Sequence, residues 1–171
     1  MYLETPRLIL RNLKEADLQA YLQFRNSEFV LRYNAMARQS AEEAAKFIRD
    51  NLANDRHAAI AWKDTDAFVG LIHIEDDSLR YKANSLEVAY WLGEPYCAQG
   101  VMTEALGALV QHLLSRDDVN SVTARVFADN PGSGKLLRRL GFLQEGHLHQ
   151  AVLGYDGILH DDLLFSLRKD G

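Results

Sequence analysis

The sequence predicts a mixed α/β fold in which a single seven-stranded sheet carries about four helices on its two faces. Three observations point there. A strand with clean apolar alternation runs from Leu86 to Leu92, a strongly amphipathic helix follows it from Val101 to Leu114, and strands and helices alternate in an order that calls for crossovers to parallel neighbours. With 171 residues, 47% of them hydrophobic and 25% charged, the chain suits one domain over residues 1–171 with its own core.

Leu8 and Leu10 alternate with Arg7, Ile9 and Arg11, which reads as a first strand with one wet face. Ala16, Ala20, Tyr21 and Phe24 then recur at helical spacing between Lys14 and Arg25. Ser40 opens a second helix: its hydroxyl caps the Glu43 amide, the Glu43 carboxylate reaches back, and Ala44, Phe47, Ile48 and Leu52 follow on one face. His57 to Trp62 and Ala67 to Ile74 are β-rich runs joined by Lys63-Asp64-Thr65-Asp66, a hairpin pattern.

In the fourth strand Leu86, Val88, Tyr90 and Leu92 fall on one face and Glu87, Ala89 and Trp91 on the other, so Glu87 is a carboxylate in mid-strand. Gly93, Glu94 and Pro95 break it. The pairs Val101/Met102, Ala105/Leu106, Leu109/Val110 and Leu113/Leu114 then define the long helix. Val122, Ala124 and Val126 alternate as a fifth strand, and Asn130 with Pro131 begins a short helix that Gly141 ends. Two more strands, from Phe142 onward and through Leu163 to Leu167, are separated by a turn at Tyr155-Asp156-Gly157.

A formal net charge of -5 argues against nucleic-acid binding, which needs clustered Lys and Arg, and mildly favours cationic partners such as amines. The lone cysteine, Cys97, has no internal disulfide partner, and the six histidines show no ligand spacing, so no metal is expected; His147 and His149 read as strand residues facing solvent together. Glu4, Arg7 and Arg11 interrupt the N-terminal stretch, and no apolar run reaches the roughly 20 residues of a membrane span. A cytoplasmic protein, with no membrane partner, is the expectation.

The segment Tyr96-Cys97-Ala98-Gln99-Gly100-Val101-Met102-Thr103-Glu104-Ala105 carries most of the functional signal, because a strand there hands over to a long helix. Small residues at Ala98 and Gly100 allow close approach, and the free amides of the helix's first turn, aided by its dipole, suit an anionic pyrophosphate. Read alone, Gly100 serves equally as a tight turn into the helix.

With Glu87-x-Ala89-Tyr90-Trp91-Leu92 before it, and Asn130-Pro131-Gly132-Ser133 and Leu140-Gly141-Phe142 after, the segment resembles the GNAT acetyltransferase superfamily. Thr5-Pro6-Arg7-Leu8 and the final Asp161 to Leu167 extend the likeness over nearly the whole chain, toward the branch of ribosomal-protein N-terminal acetyltransferases. The family's phosphate loop, Gln/Arg-x-x-Gly-x-Gly/Ala, falls on Cys97 to Met102, with Cys97 in place of the long polar residue and Met102 in place of the small one.

The resemblance implies acetyl-CoA as co-substrate, bound by Ala98, Gln99, Gly100, Val101, Met102 and Thr103, and a sheet splayed after the fourth strand, along which Ala89, Tyr90 and Trp91 present main-chain groups to pantetheine. It implies direct attack of an amine on the thioester, with an amide near Ala89 or Tyr90 holding the oxyanion. Glu87 is the candidate base, or else half of a cross-strand ion pair. Ser133 is the candidate acid or sulfur contact, or else a first-turn capping residue; Asn130 is a cap and a pantetheine contact, and Tyr155 a fallback acid. Cys97 lacks the partners of a nucleophile.

The acceptor is a protein or peptide N-terminal amine by the branch likeness, with a small amine (polyamine, amino acid or aminoglycoside) or a non-catalytic acyl-CoA sensor as alternatives. The segments from Glu28 to Ala53 and from Gln150 to His160 are expected to frame it. A homodimer is compatible with the branch.

Overall fold

The structure, a computed structural model, describes residues 1–169; Asp170 and Gly171, the end of the expected domain, lie outside the described residues. Its elements in chain order are β1 (Tyr2–Glu4), β2 (Leu8–Arg11), α1 (Leu18–Arg25), α2 (Glu28–Leu31), α3 (Ala41–Asp50), β3 (His57–Trp62), β4 (Phe68–Asp76), β5 (Ser85–Leu92), α4 (Val101–Leu114), β6 (Ser121–Phe127), α5 (Pro131–Arg139), β7 (Leu143–Leu153) and β8 (Leu159–Arg168). The strands form one mixed sheet in the order β1-β2-β3-β4-β5-β6-β8-β7. The alternation of β5 falls as expected: Val88 and Leu92 join the core under α4 and α5, and Trp91 joins the core under α1 and α3.

Among the described residues there are eight strands where seven were expected, and five α-helices where about four were. Both additions are short. Three-residue β1 pairs with β2, and α2 is a single turn capped by Ser27, whose hydroxyl accepts from the Val30 amide. Neither is long enough to show a period in sequence.

The first strand is corrected more substantially: β2 has no wet face, being buried along its whole length. Arg11 is buried because Asp17 accepts both of its terminal nitrogens at 2.8 and 2.9 Å and Asp66 accepts Nε at 2.6 Å. Partners 6 and 55 residues away cancel its charge, and alternation within the strand cannot reveal that.

The capping box of α3 is present, with the Glu43 amide on Ser40 Oγ at 3.1 Å and the Ser40 amide on Glu43 Oε2 at 2.7 Å. Ser40→Ala should therefore cost about 1 kcal/mol, a fall in Tm of roughly 2–4 °C, measurable by thermal denaturation.

Only β5 and β6 run parallel, joined by α4, and their pairing is brief: Ser85, Leu86 and Glu87 against Ser121, Val122 and Thr123. A polar staple holds that end shut. Buried Asp77 accepts from Ser85 Oγ at 2.9 Å and Thr123 Oγ1 at 3.1 Å, and Ser121 Oγ donates to Ser85 Oγ at 2.9 Å. Beyond it β6 stays bonded to β8 and β5 to β4, so the two strands part into a fork. No helix of the described residues is long and apolar enough to cross a membrane.

Candidate active site in the fork

The fork leaves one edge of β5 unpaired from Ala89 to Leu92, the Val88 amide still closing the Glu87/Thr123 pair. The Gly93 amide donates to Val69 of β4 at 2.9 Å, and main-chain groups alternate sides along a strand. Trp91 and Ala89 therefore turn their N–H and C=O toward β4, while Tyr90 and Leu92 turn theirs into the gap. Of the three residues the sequence nominated here, Tyr90 offers its main chain; Ala89 and Trp91 contribute as lining.

A cavity of about 600 Å³ fills the gap. It brings together ten of the nominated residues: Ala89, Tyr90, Trp91, Ala98, Gly100, Val101, Met102, Thr103, Asn130 and Ser133. Gln99 and Glu87 are not in its lining.

The loop into α4 closes one end. A 3₁₀ turn over Glu94–Tyr96 leads to Ala98 and Gly100, both left-handed at φ 59° and 75°. Gly100 is the N-cap of α4 with no side-chain cap. The Cys97 amide donates to Glu94 O and the Glu104 amide to Gly100 O, but between them the amides of Ala98 to Thr103 find no protein acceptor among the described residues. A run of unclaimed donors at a helix N-terminus is an anion site by construction.

The loop is strapped from outside. Arg7 Nη1 donates to Gln99 O at 3.1 Å and Arg7 Nε to Glu104 Oε2 at 2.7 Å, while Thr5 Oγ1 reaches Glu104 Oε1 at 2.6 Å. The Gln99 side chain folds back on Pro95 O at 2.7 Å, which removes it from the cavity and leaves its amide free. Met102, where the family pattern has a small residue, is buried in the core and also lines the cavity. Burial pushes the Cys97 thiol up, away from the reactive thiolate.

Across the gap α5 presents Ser133. Asn130 Oδ1 accepts from the Ser133 amide at 3.2 Å and Asn130 Nδ2 donates to Ser133 Oγ at 3.2 Å. Asn130 is thus the cap the sequence foresaw, and Ser133 Oγ, already accepting, keeps its own proton to donate elsewhere. Burial pushes the Tyr90 phenol far up; Ser133 is near enough to counter this in part but makes no well-formed hydrogen bond with it, so the buried Oη has no partner among the described residues. An unpaired buried hydroxyl costs about 1–3 kcal/mol, so a bound group that meets it is stabilised by as much.

Lys135 and Arg139 also line the cavity, one helical turn apart, and neither has a carboxylate at ion-pair distance among the described residues. The sequence reading passed over them; their i, i+4 spacing behind the Asn130-Pro131 cap was the available signal. Replacing both by alanine should raise the KM for the acetyl-CoA that the sequence resemblance implies about two- to fivefold at low salt and less at high salt, in steady-state assays across ionic strength.

Glu87 stands where the fork closes, opposite Thr123. Ala89, the next residue on its face and about 7 Å along the strand, is in the cavity wall. Glu87 has no ion pair among the described residues, because the nearby Arg125 is held by Asp162 at 2.7 and 3.0 Å. Burial raises its carboxyl above the ordinary range, opposed by Arg125 and reinforced by Asp77, Glu75 and Asp162.

On the face that carries Glu87, the wall is completed by Arg125, Phe29, Tyr33 and Asn34, which the sequence did not single out. The two segments expected to frame the acceptor do meet: the Tyr155 amide donates to Asn34 O at 2.9 Å and Arg38 Nε donates to Tyr155 Oη at 2.9 Å. Tyr155 is engaged there and lies outside the cavity lining.

Residues 7–143 match the family described as "Acetyltransferase (GNAT) domain". The uncharacterized N-acetyltransferase YoaA of Bacillus subtilis is 30% identical over 98% of this chain and 96% of its own. The ribosomal-protein-serine acetyltransferase of Escherichia coli is 30% identical over 73% of this chain and 69% of its own. Among solved structures, a ribosomal L7/L12 alpha-N-protein acetyltransferase in complex with coenzyme A superposes with a TM-score of 0.82 at 22% identity, covering 98% of both chains.

Proposed function

The chain belongs to the GNAT acetyltransferase family and is an acetyl-CoA-dependent N-acetyltransferase, and we propose that its acceptor is the α-amine of a protein or peptide N-terminus. The observation that carries the reading is the run of unclaimed amides from Ala98 to Thr103 at the end of an unpaired β5 edge.

Acetyl-CoA supplies an acyl group activated as a thioester. In this reading the Ala98 to Thr103 amides hold its pyrophosphate, Lys135 and Arg139 meet its remaining phosphate charge, and the main chain of Tyr90 and Leu92 bonds pantetheine as a strand would. The Tyr90 amide stabilises negative charge on the thioester oxygen as the C–N bond forms, a donor worth roughly 3–4 kcal/mol. Glu87 accepts the amine's proton through water, given its distance from the cavity wall. As the C–S bond breaks, the Ser133 hydroxyl and the orphaned Tyr90 Oη donate hydrogen bonds to the sulfur, and water supplies the thiol proton.

The acceptor class is supported by proton affinity. An α-amine has a pKa near 8, about two units below a lysine or polyamine nitrogen, so its neutral form is not scarce at pH 7. A half-buried carboxylate acting at one remove suffices for it. The Escherichia coli relative, a ribosomal-protein-serine acetyltransferase, agrees with this class.

Coenzyme A release and mass spectrometry over a panel of Ser- and Ala-initiated peptides, polyamines, amino acids and aminoglycosides test the reading. Peptide α-amines should exceed small amines in kcat/KM by about tenfold or more, the equivalent of about 1.4 kcal/mol. Turnover of small amines alone would replace the acceptor, and binding of acetyl-CoA without amine-dependent release would make the protein a sensor.

A further inference from the structure

Acetyl transfer as derived above makes no use of a group of side chains on the β7–β8 hairpin. β7 is irregular against β8 between Leu148 and Val152, and Gln150 takes a left-handed φ of 48° there. Across the irregularity His147, His149 and Asp161 converge. His147 Nε2 lies 2.8 Å and His149 Nδ1 2.9 Å from the same oxygen, Asp161 Oδ2, and the two imidazole centroids are 4.5 Å apart.

We propose that His147, His149 and Asp161 form a binding site for one divalent transition-metal ion of the zinc and nickel class. Two imidazoles and a carboxylate are the donor set such ions select, whereas magnesium and calcium favour oxygen alone. All the candidate ligand atoms lie within 4.8 Å of one another. A tetrahedral ion with bonds of about 2.0–2.1 Å keeps its ligands about 3.3 Å apart, so the two imidazole–carboxylate contacts need to open by about half an ångström and the two ring nitrogens to settle at the same spacing. Both histidines are exposed and free to make that adjustment.

The carboxylate is held ready. The Gln150 amide donates to Asp161 Oδ1 at 2.8 Å, which fixes the group with its other oxygen toward the imidazoles, as outer contacts do in metal sites. Two histidines two residues apart share a strand face, but the third ligand comes from the neighbouring strand. The sequence expectation of no metal therefore had no local pattern against it. The site lies outside the cavity lining and has no part in the transfer.

Isothermal titration of the whole chain with zinc chloride and with nickel chloride tests this. One ion per chain should bind at micromolar concentration, with affinity reduced about tenfold or more by His149→Ala and by Asp161→Asn. His160→Ala is the control: His160 sits between Asp156 and Asp129 with a single imidazole, and its loss should leave binding unchanged. A zinc-induced rise in Tm, present in the wild type and absent in both ligand variants, gives a second readout. Absence of binding at millimolar metal, binding that both variants leave intact, or equal weakening by His160→Ala would overturn the assignment.

Discussion

Gly100→Val should raise the KM and Kd for acetyl-CoA by about tenfold or more while leaving the protein folded. Space is not the obstacle, since a Cβ at Gly100 would meet Arg7 Nη2 at 3.6 Å, an ordinary contact. The obstacle is φ at +75°, where an L residue pays about 1–2 kcal/mol and a β-branched one more. Valine escapes by rotating out of the left-handed region, and that rotation re-aims the amides of the first turn of α4. Since about 1.4 kcal/mol is a factor of ten, the strain alone accounts for the expected loss. Gly100→Asn should be milder, because asparagine tolerates this conformation. Equal affinities in all three proteins, measured by calorimetry, would separate the loop's backbone conformation from cofactor binding.

Glu87→Gln should lower kcat about a hundredfold near neutral pH with little change in affinity for acetyl-CoA, the scale expected for loss of a general base. The pH dependence has a definite sign. Burial raises the folded-state pKa of Glu87, so in the wild type the base is protonated, and the rate falls, at a pH above the ordinary carboxylate range. The variant should lose that acid limb, and a limb that persists would remove Glu87 from the mechanism.

Stability should move the other way. A carboxyl with a raised folded pKa adds stability below its unfolded pKa and loses it as pH rises through the folded value. At neutral pH the charged, half-buried, unpaired Glu87 is thus a liability, and Glu87→Gln should raise Tm slightly at pH 7 and not at pH 4. Loss of activity together with a gain in stability is the pattern of a residue kept for chemistry.

The long periodic elements were legible because their signal is local. Alternation in β5 and the paired apolar residues of α4 place those elements on the page before any coordinate, and the Ser40 and Asn130 caps mark two further helix starts. What sequence could not supply is pairing at a distance. Arg11 reads as a wet residue until Asp17 and Asp66 come to meet it, and Glu87 reads as half of an ion pair until Arg125 is found committed to Asp162.

The candidate site divides in the same way. The loop from Cys97 to Thr103 carries its meaning in its own order of residues. The Tyr90 hydroxyl, Lys135 and Arg139, without partners among the described residues, and the wall of Phe29, Tyr33 and Asn34 acquire theirs only from the fork that gathers them. The same holds for Asp161, which reaches two histidines from the adjacent strand.

The central claim is that the amides between Ala98 and Thr103 are the protein's grip on the diphosphate of its co-substrate. Amide-resolved ¹⁵N NMR during titration with coenzyme A reads that grip directly. Large shifts at Ala98 through Thr103, saturating together at one equivalent, with smaller shifts at Tyr90 and Leu92, are the expected result. Saturable binding that leaves those loop resonances where they began would contradict it.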